Sequence, residues 1–227
     1  MKVLSRNHLK IIGCVSMVVD HVGVVFFPHI ELFRVVGRLA FPLFAFFIAE
    51  GMYYSKNRKK YMLTMLAFAL ISQIPHMLVL DFRPNILFTF LIAMLIITFY
   101  DGTKTQNENK INSYIYFISA IFITLIFSLL GLISYGLWGV LLVFFLYVFK
   151  NSPVYKWAVV SVCLIMLSIS FHQPLLQSLT SIQMFGLLVM PLLLFYNGKA
   201  GKYNYKYAFY IFYPAHLMLL YVISLLI

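Results

Sequence analysis

With 227 residues, of which 63% are hydrophobic and 10% charged, and a mean hydropathy of +0.95, the chain lies outside the range of ordinary soluble domains. In a soluble chain the net charge of +11 would suggest a nucleic-acid partner. Here the Lys and Arg residues are distributed as membrane topology distributes them, so nucleic acid is set aside and the lipid bilayer becomes the first partner.

The chain reads as all-α, a polytopic transmembrane helical bundle forming a single domain over residues 1–227 of a multi-pass plasma-membrane protein. Lys2, Arg6 and Lys10 ahead of an apolar run resemble a signal peptide, but the run is long, contains Asp20 and His21, and lacks a small-residue cleavage site. It is expected to stay as the first membrane helix. Cys14 and Cys163 lie inside apolar runs, where a thiol behaves as a small hydrophobe, and imply neither a disulfide nor a metal framework.

Nine apolar segments approach the length needed to cross a core of about 30 Å. They run over 9–27, 33–54, 61–80, 85–100, 113–132, 135–149, 154–171, 181–196 and 207–227. The loops test this count, because Lys and Arg collect on the cytoplasmic side of short loops. The expected inner segments carry Lys2, Arg6 and Lys10; Lys56, Arg58, Lys59 and Lys60; Lys104 and Lys110; Lys150 and Lys156; and Lys199, Lys202 and Lys206, which is 14 of the 17 basic residues. Only Arg34, Arg38 and Arg83 are left for the outer side. The alternation predicts nine spans with the N-terminus inside and the C-terminus outside.

In the first helix, Asp20 and His21 interrupt the run VVDHVG. An ionisable group at the bilayer centre costs roughly 2.5–3.5 kcal/mol even on insertion scales, so the pair marks a candidate site. Gly13, Ser16, Asp20 and Gly23 recur at spacings of three and four, which turns Asp20 toward protein and not lipid. At 1.5 Å per residue, His21 lies about 17 Å from the inner boundary. Adjacent helical residues point about 100° apart, so Asp20 cannot clamp His21 directly and is expected to bind an arginine.

Arg34 and Arg38, four apart in the second segment, supply that partner, with Arg38 preferred. Pro42 removes the N–H that would meet the Arg38 carbonyl and is expected to kink the helix there. Glu50 lies deeper in the same segment. In the last segment His216 falls about 14 Å in, close to the depth of His21, behind Tyr213 and Pro214. His216, Tyr213, Glu50 and Arg34 form a secondary candidate group, while His76 and Asn85 are placed nearer the outer surface and His172 at an interface. A structural reading stands beside the functional one: an Asp20–arginine pair can simply lock two helices, and a membrane histidine can serve as hydrogen-bonding glue.

A neutral histidine near pH 7 can take a proton from an amine or hydroxyl attacking an acyl group, with a nearby carboxylate or arginine fixing its charge. No nucleophilic Ser or Cys motif, phosphate loop or metal cluster competes. The run LKIIGCVSMVVDHVGVVFFP, followed by RVVGRLAFPLFAFFIAEGMYYSKNRKKY, SQIPHM, NILFTF, YGLWGVLL and YIFYPAHLMLLYVI, resembles the TraX family along nearly the whole chain. That resemblance implies an integral-membrane acetyltransferase; the family takes its name from a protein that N-acetylates conjugative pilin, and it is similar to a wider superfamily of membrane acyltransferases. It also implies acetyl-coenzyme A as cytoplasmic donor, no metal, and an acceptor amine or hydroxyl at the outer face.

In those terms His21, Asp20 and Arg38 are the catalytic candidates, and Arg58, Lys59 and Lys60 are expected to meet the anionic nucleotide of the donor. Direct transfer and an acetyl-histidine intermediate fit the residues equally. The competing class is a small-molecule or proton-coupled transporter using Asp20, His21, Glu50 and His216 as its path.

Overall fold

The computed structural model describes residues 3–104, 110–169, 181–199, 201 and 207–227. Lys2, His172, Lys202 and Lys206 lie outside the described residues, as does the end of the seventh predicted segment at Phe171. The described chain is all-α, with a single isolated bridge, Leu4 to Tyr196, in place of any strand. Its helices are α1 (Arg6–Phe26), α2 (Glu31–Gly37), α3 (Ala40–Tyr54), α4 (Arg58–Val79), α5 (Ile86–Thr103), α6 (Lys110–Leu129), α7 (Gly136–Val148) and α8 (Pro153–Ser168). A 3₁₀ helix (Ile182–Leu188), α9 (Val189–Leu194) and α10 (Ala208–Ser224) follow.

Helix therefore occupies each of the nine predicted apolar segments. Arg6–Phe26, Glu31–Tyr54 taken together, Arg58–Val79, Ile86–Thr103 and Ile111–Leu129 are long and apolar enough to cross a membrane. The other four are shorter apolar helices. Two segments are not the continuous helices expected. The second breaks at Arg38 and Leu39, where Pro42, in the first turn of α3, offers no N–H to the Arg38 carbonyl. The eighth opens as a 3₁₀ helix and becomes α-helical only near Pro191, which likewise cannot bond back to Leu187.

The chain divides into two compact units. The first is drawn from Met1–Phe44, Ile71–Phe82 and Leu164–Ile227. Within it α1 packs on α2 and α10, and α2 packs on the 3₁₀ helix. Ser5 caps α1 by accepting from the His8 N–H, while the Ser5 N–H donates back to His8 Nδ1 at 3.4 Å. Leu4 and Arg6 donate backbone N–H bonds to the carbonyls of Phe195 and Lys199, at 3.0 and 2.8 Å. The small-residue face of α1 works as expected: Gly13 lies against the Phe44 ring, and Ser16 donates to the Val36 carbonyl.

The second unit is drawn from Ala45–Leu70 and Arg83–Cys163, and in it α5, α6 and α7 pack on one another. Asn85, fully buried, caps α5 through the Leu87 N–H and donates to the Ala69 carbonyl at 2.8 Å. One end of this unit gathers residues that the charge count put on a single side. Arg58 donates to Asp101 at 2.5 Å and to the Tyr147 hydroxyl at 2.9 Å, and that hydroxyl donates to the same carboxylate. Lys150 stands over the rings of Tyr53 and Tyr54, with Nζ 3.1 and 3.5 Å from their centroids.

Candidate functional site

The site belongs to the first unit and is built on α1. Asp20 faces the end of α2, where Gly37 lets the two helices approach until the carboxylate lies against bare backbone; a Cβ at this position would overlap the Asp20 side chain. Gly37→Ala is therefore expected to destabilise the protein by about 1–3 kcal/mol through overpacking, read as a lowered Tm in nanodiscs.

Arg38 Nη2 donates to both Asp20 oxygens, at 2.7 and 2.8 Å, and Arg34 Nη1 donates to Oδ2 at 3.1 Å. The expected Asp20–Arg38 pair is present, and Arg34 joins it. The break between α2 and α3 allows this, because Arg38 sits at the end of α2 and its Nε donates back to the Arg34 carbonyl at 3.2 Å. Its Nη1 reaches Gln183 Oε1 on the 3₁₀ helix, also at 3.2 Å. Arg38 is thus 6% exposed and bound along its whole guanidinium edge, whereas the Arg34 side chain is 34% exposed and gives only Nη1 to the carboxylate. One carboxylate against two guanidiniums leaves the cluster with one net positive charge, one residue along α1 from His21.

His21 points away from Asp20 and meets the last helix instead. Its Nδ1 lies 2.8 Å from His216 Nε2, with the rings 5° from parallel and their centroids 5.1 Å apart. His216 is buried, and its Nδ1 lies 2.8 Å from the Phe212 carbonyl one turn back, with the Phe212 and Tyr213 rings against it. This arrangement assigns the tautomers. A carbonyl oxygen only accepts, so His216 carries its hydrogen on Nδ1. Nε2 of neutral His216 then accepts, which makes His21 Nδ1 the donor. The lone pair of His21 is left on Nε2, for which no hydrogen-bond partner is found among the described residues.

Of the sequence candidates, Asp20, Arg34, Arg38, His21, His216 and Tyr213 all fall within the first unit. Glu50, Arg58, Lys59 and Lys60 belong to the second, where Lys59 and Lys60 are exposed and Arg58 is held by Asp101 and Tyr147. Sequence reasoning missed Gln183, a lone amide in an apolar run, and Gly37, whose need arises only once two helices touch. It placed His76 only by depth and passed over Ser72, yet on α4 the buried Ser72 Oγ and His76 Nδ1 have no hydrogen-bond partner. An unsatisfied buried group costs about 1–3 kcal/mol, so such a pair calls for an explanation. Among the described residues no group of three or more His, Cys, Asp or Glu is disposed to hold a metal ion.

The chain is 30% identical over 249 residues to a probable fimbrial assembly protein, FimC of serogroup H1, from Dichelobacter nodosus, a match covering 96% of this chain and 97% of that protein. A shorter match, 33% identical over 48 residues, covers 21% of this chain and 19% of an uncharacterized protein, RP591, from Rickettsia prowazekii (strain Madrid E). No solved structure matches the chain. The family model described as TraX protein matches residues 5–224, and on that near-complete match the chain belongs to the TraX family.

Proposed function

We propose that the protein is a membrane-embedded acetyltransferase, passing acetyl from cytoplasmic acetyl-coenzyme A to an amine or hydroxyl at the outer side of the plasma membrane, on a pilin-like protein or a cell-surface molecule. The observation that carries this reading is the bonded chain from the Phe212 carbonyl through His216 to His21, which leaves the lone pair on Nε2 of the half-buried His21 without a hydrogen-bond partner among the described residues. The likeness to a probable fimbrial assembly protein of Dichelobacter nodosus supports a pilin-like acceptor.

The acceptor nitrogen or oxygen bonds to the acetyl carbon while His21 Nε2 takes its proton. The carbon–sulfur bond then breaks, and the coenzyme A sulfur leaves with the proton returned by His21. Throughout, His216 holds the donor hydrogen of His21 on Nδ1. Arg34, with guanidinium hydrogens left over, faces the oxyanion that forms on the acetyl oxygen, while Arg38 and Asp20 keep it in position.

The test supplies labelled acetyl-coenzyme A to purified protein in vesicles with an amine acceptor outside. Label is expected on the acceptor, and His216→Phe, which removes the acceptor of the His21 hydrogen, is expected to slow transfer by about 10-fold or more. A folded protein that neither binds nor consumes the donor overturns the proposal.

A further inference from the structure

Ser72 and His76 lie four residues apart on α4 and so share one face of the helix. Ser72 is 0% and His76 7% exposed, yet Ser72 Oγ and His76 Nδ1 make no hydrogen bond. Nothing in the proposed transfer uses them. Between them Pro75 cannot bond back to the Ile71 carbonyl, just as Pro214 on α10 cannot bond back to Tyr210.

These two proline turns face each other. An apolar groove of about 380 Å³ is lined by Ile71, Ile74 and Pro75 from α4 and by Ile211, Pro214 and Ala215 from α10, together with Met218. The turn bearing Ser72 and His76 therefore lies across this groove from the turn bearing His216, whose Nε2 meets His21 Nδ1 at 2.8 Å. Three histidines from three helices, His21, His76 and His216, thus sit on neighbouring turns of the first unit. Two of them are committed to each other, and the third has a ring nitrogen waiting.

We infer that Ser72 and His76 form a subsite for the head of the acceptor, holding its amine or hydroxyl by hydrogen bonds with Ser72 Oγ and His76 Nδ1 while His21 Nε2 removes its proton. The role rests on the acetyltransferase reading; the binding does not. A small head that both donates and accepts satisfies the two buried atoms at once, whereas an acylated head, stripped of a hydrogen and enlarged by an acetyl group, fits them worse. The subsite therefore favours acceptor over product.

The experiment uses the full chain in nanodiscs with ¹⁵N-labelled histidine and no donor. Three probes are titrated: an apolar peptide with a free N-terminal amine, the same peptide ending in a hydroxyl, and its N-acetylated form. The amine or the hydroxyl peptide is expected to shift the His76 Nδ1 resonance, the acetylated one to bind about 3–10-fold more weakly, and Ser72→Ala to weaken the better probe by a similar factor. In the transfer assay Ser72→Ala raises the KM for the acceptor and leaves the KM for acetyl-coenzyme A unchanged. A His76 resonance that ignores all three probes overturns the inference even if the wild type transfers acetyl. A His76 response without any transfer keeps the subsite and removes the acetyltransferase. Because the resonance is read on the wild type, a Ser72 variant that fails to fold leaves the test intact.

Discussion

His21→Gln is expected to lower acetyl transfer by about 10²–10⁴-fold, the span that a positioned general base contributes. The glutamine amide can still donate to His216 Nε2, so the helix contact survives, but no basic lone pair remains. Stability should fall by no more than the value of one altered hydrogen bond, about 1 kcal/mol. His21→Ala should lose the same activity and slightly more stability. Initial rates with labelled donor and melting in nanodiscs separate the two quantities. A His21→Gln variant within about threefold of wild type would remove His21 from the chemistry. Proton flux abolished in that variant, with no acetyl transfer by the wild type, would assign the residues to transport instead.

The second large effect falls on folding. Asp20→Asn leaves two guanidiniums, one of them on Arg38 at 6% exposure, gathered around an uncharged amide. Removing one partner of a buried ion pair typically costs about 3–5 kcal/mol, because the remaining charge stays desolvated. The variant should therefore melt far below wild type and lose activity with its structure. Asp20→Asn combined with Arg38→Met removes both members and is expected to recover a large part of that loss. A double-mutant cycle on Tm checks this. If Asp20→Asn melts like wild type, the pair is not what joins α1 to α2.

The residues that sequence alone could place are those whose placement follows from one-dimensional rules. His21 and His216 share a depth because each residue of a helix advances 1.5 Å, and a histidine pair 195 positions apart could be anticipated from that count. Asp20 had to find an arginine because an unpaired charge in hydrocarbon is too costly. The details that escaped depend on contact between elements. Arg34 and Arg38 read as alternative partners of Asp20, and only the α2–α3 break shows that both reach the one carboxylate. Gln183 carries no periodicity in its short 3₁₀ turn, and the tautomer of His21 is set by a carbonyl that no sequence pattern reveals. Arg58 looked like free cationic surface because its partners, Asp101 and Tyr147, sit at the ends of other helices.

The separation between His21 and His216 also bears on how the protein is made. Asp20 and Arg38 are 18 residues apart and can pair as soon as the first two segments enter the bilayer. His216 follows His21 by 195 residues, roughly 10–40 s of synthesis at common elongation rates, so the histidine pair must wait. During that interval the nascent chain holds a locked charge cluster but an unset His21 tautomer. His21 Nδ1 finds its acceptor only when α10 inserts, so in the proposed reaction a chain that ends before residue 208 is expected to transfer no acetyl.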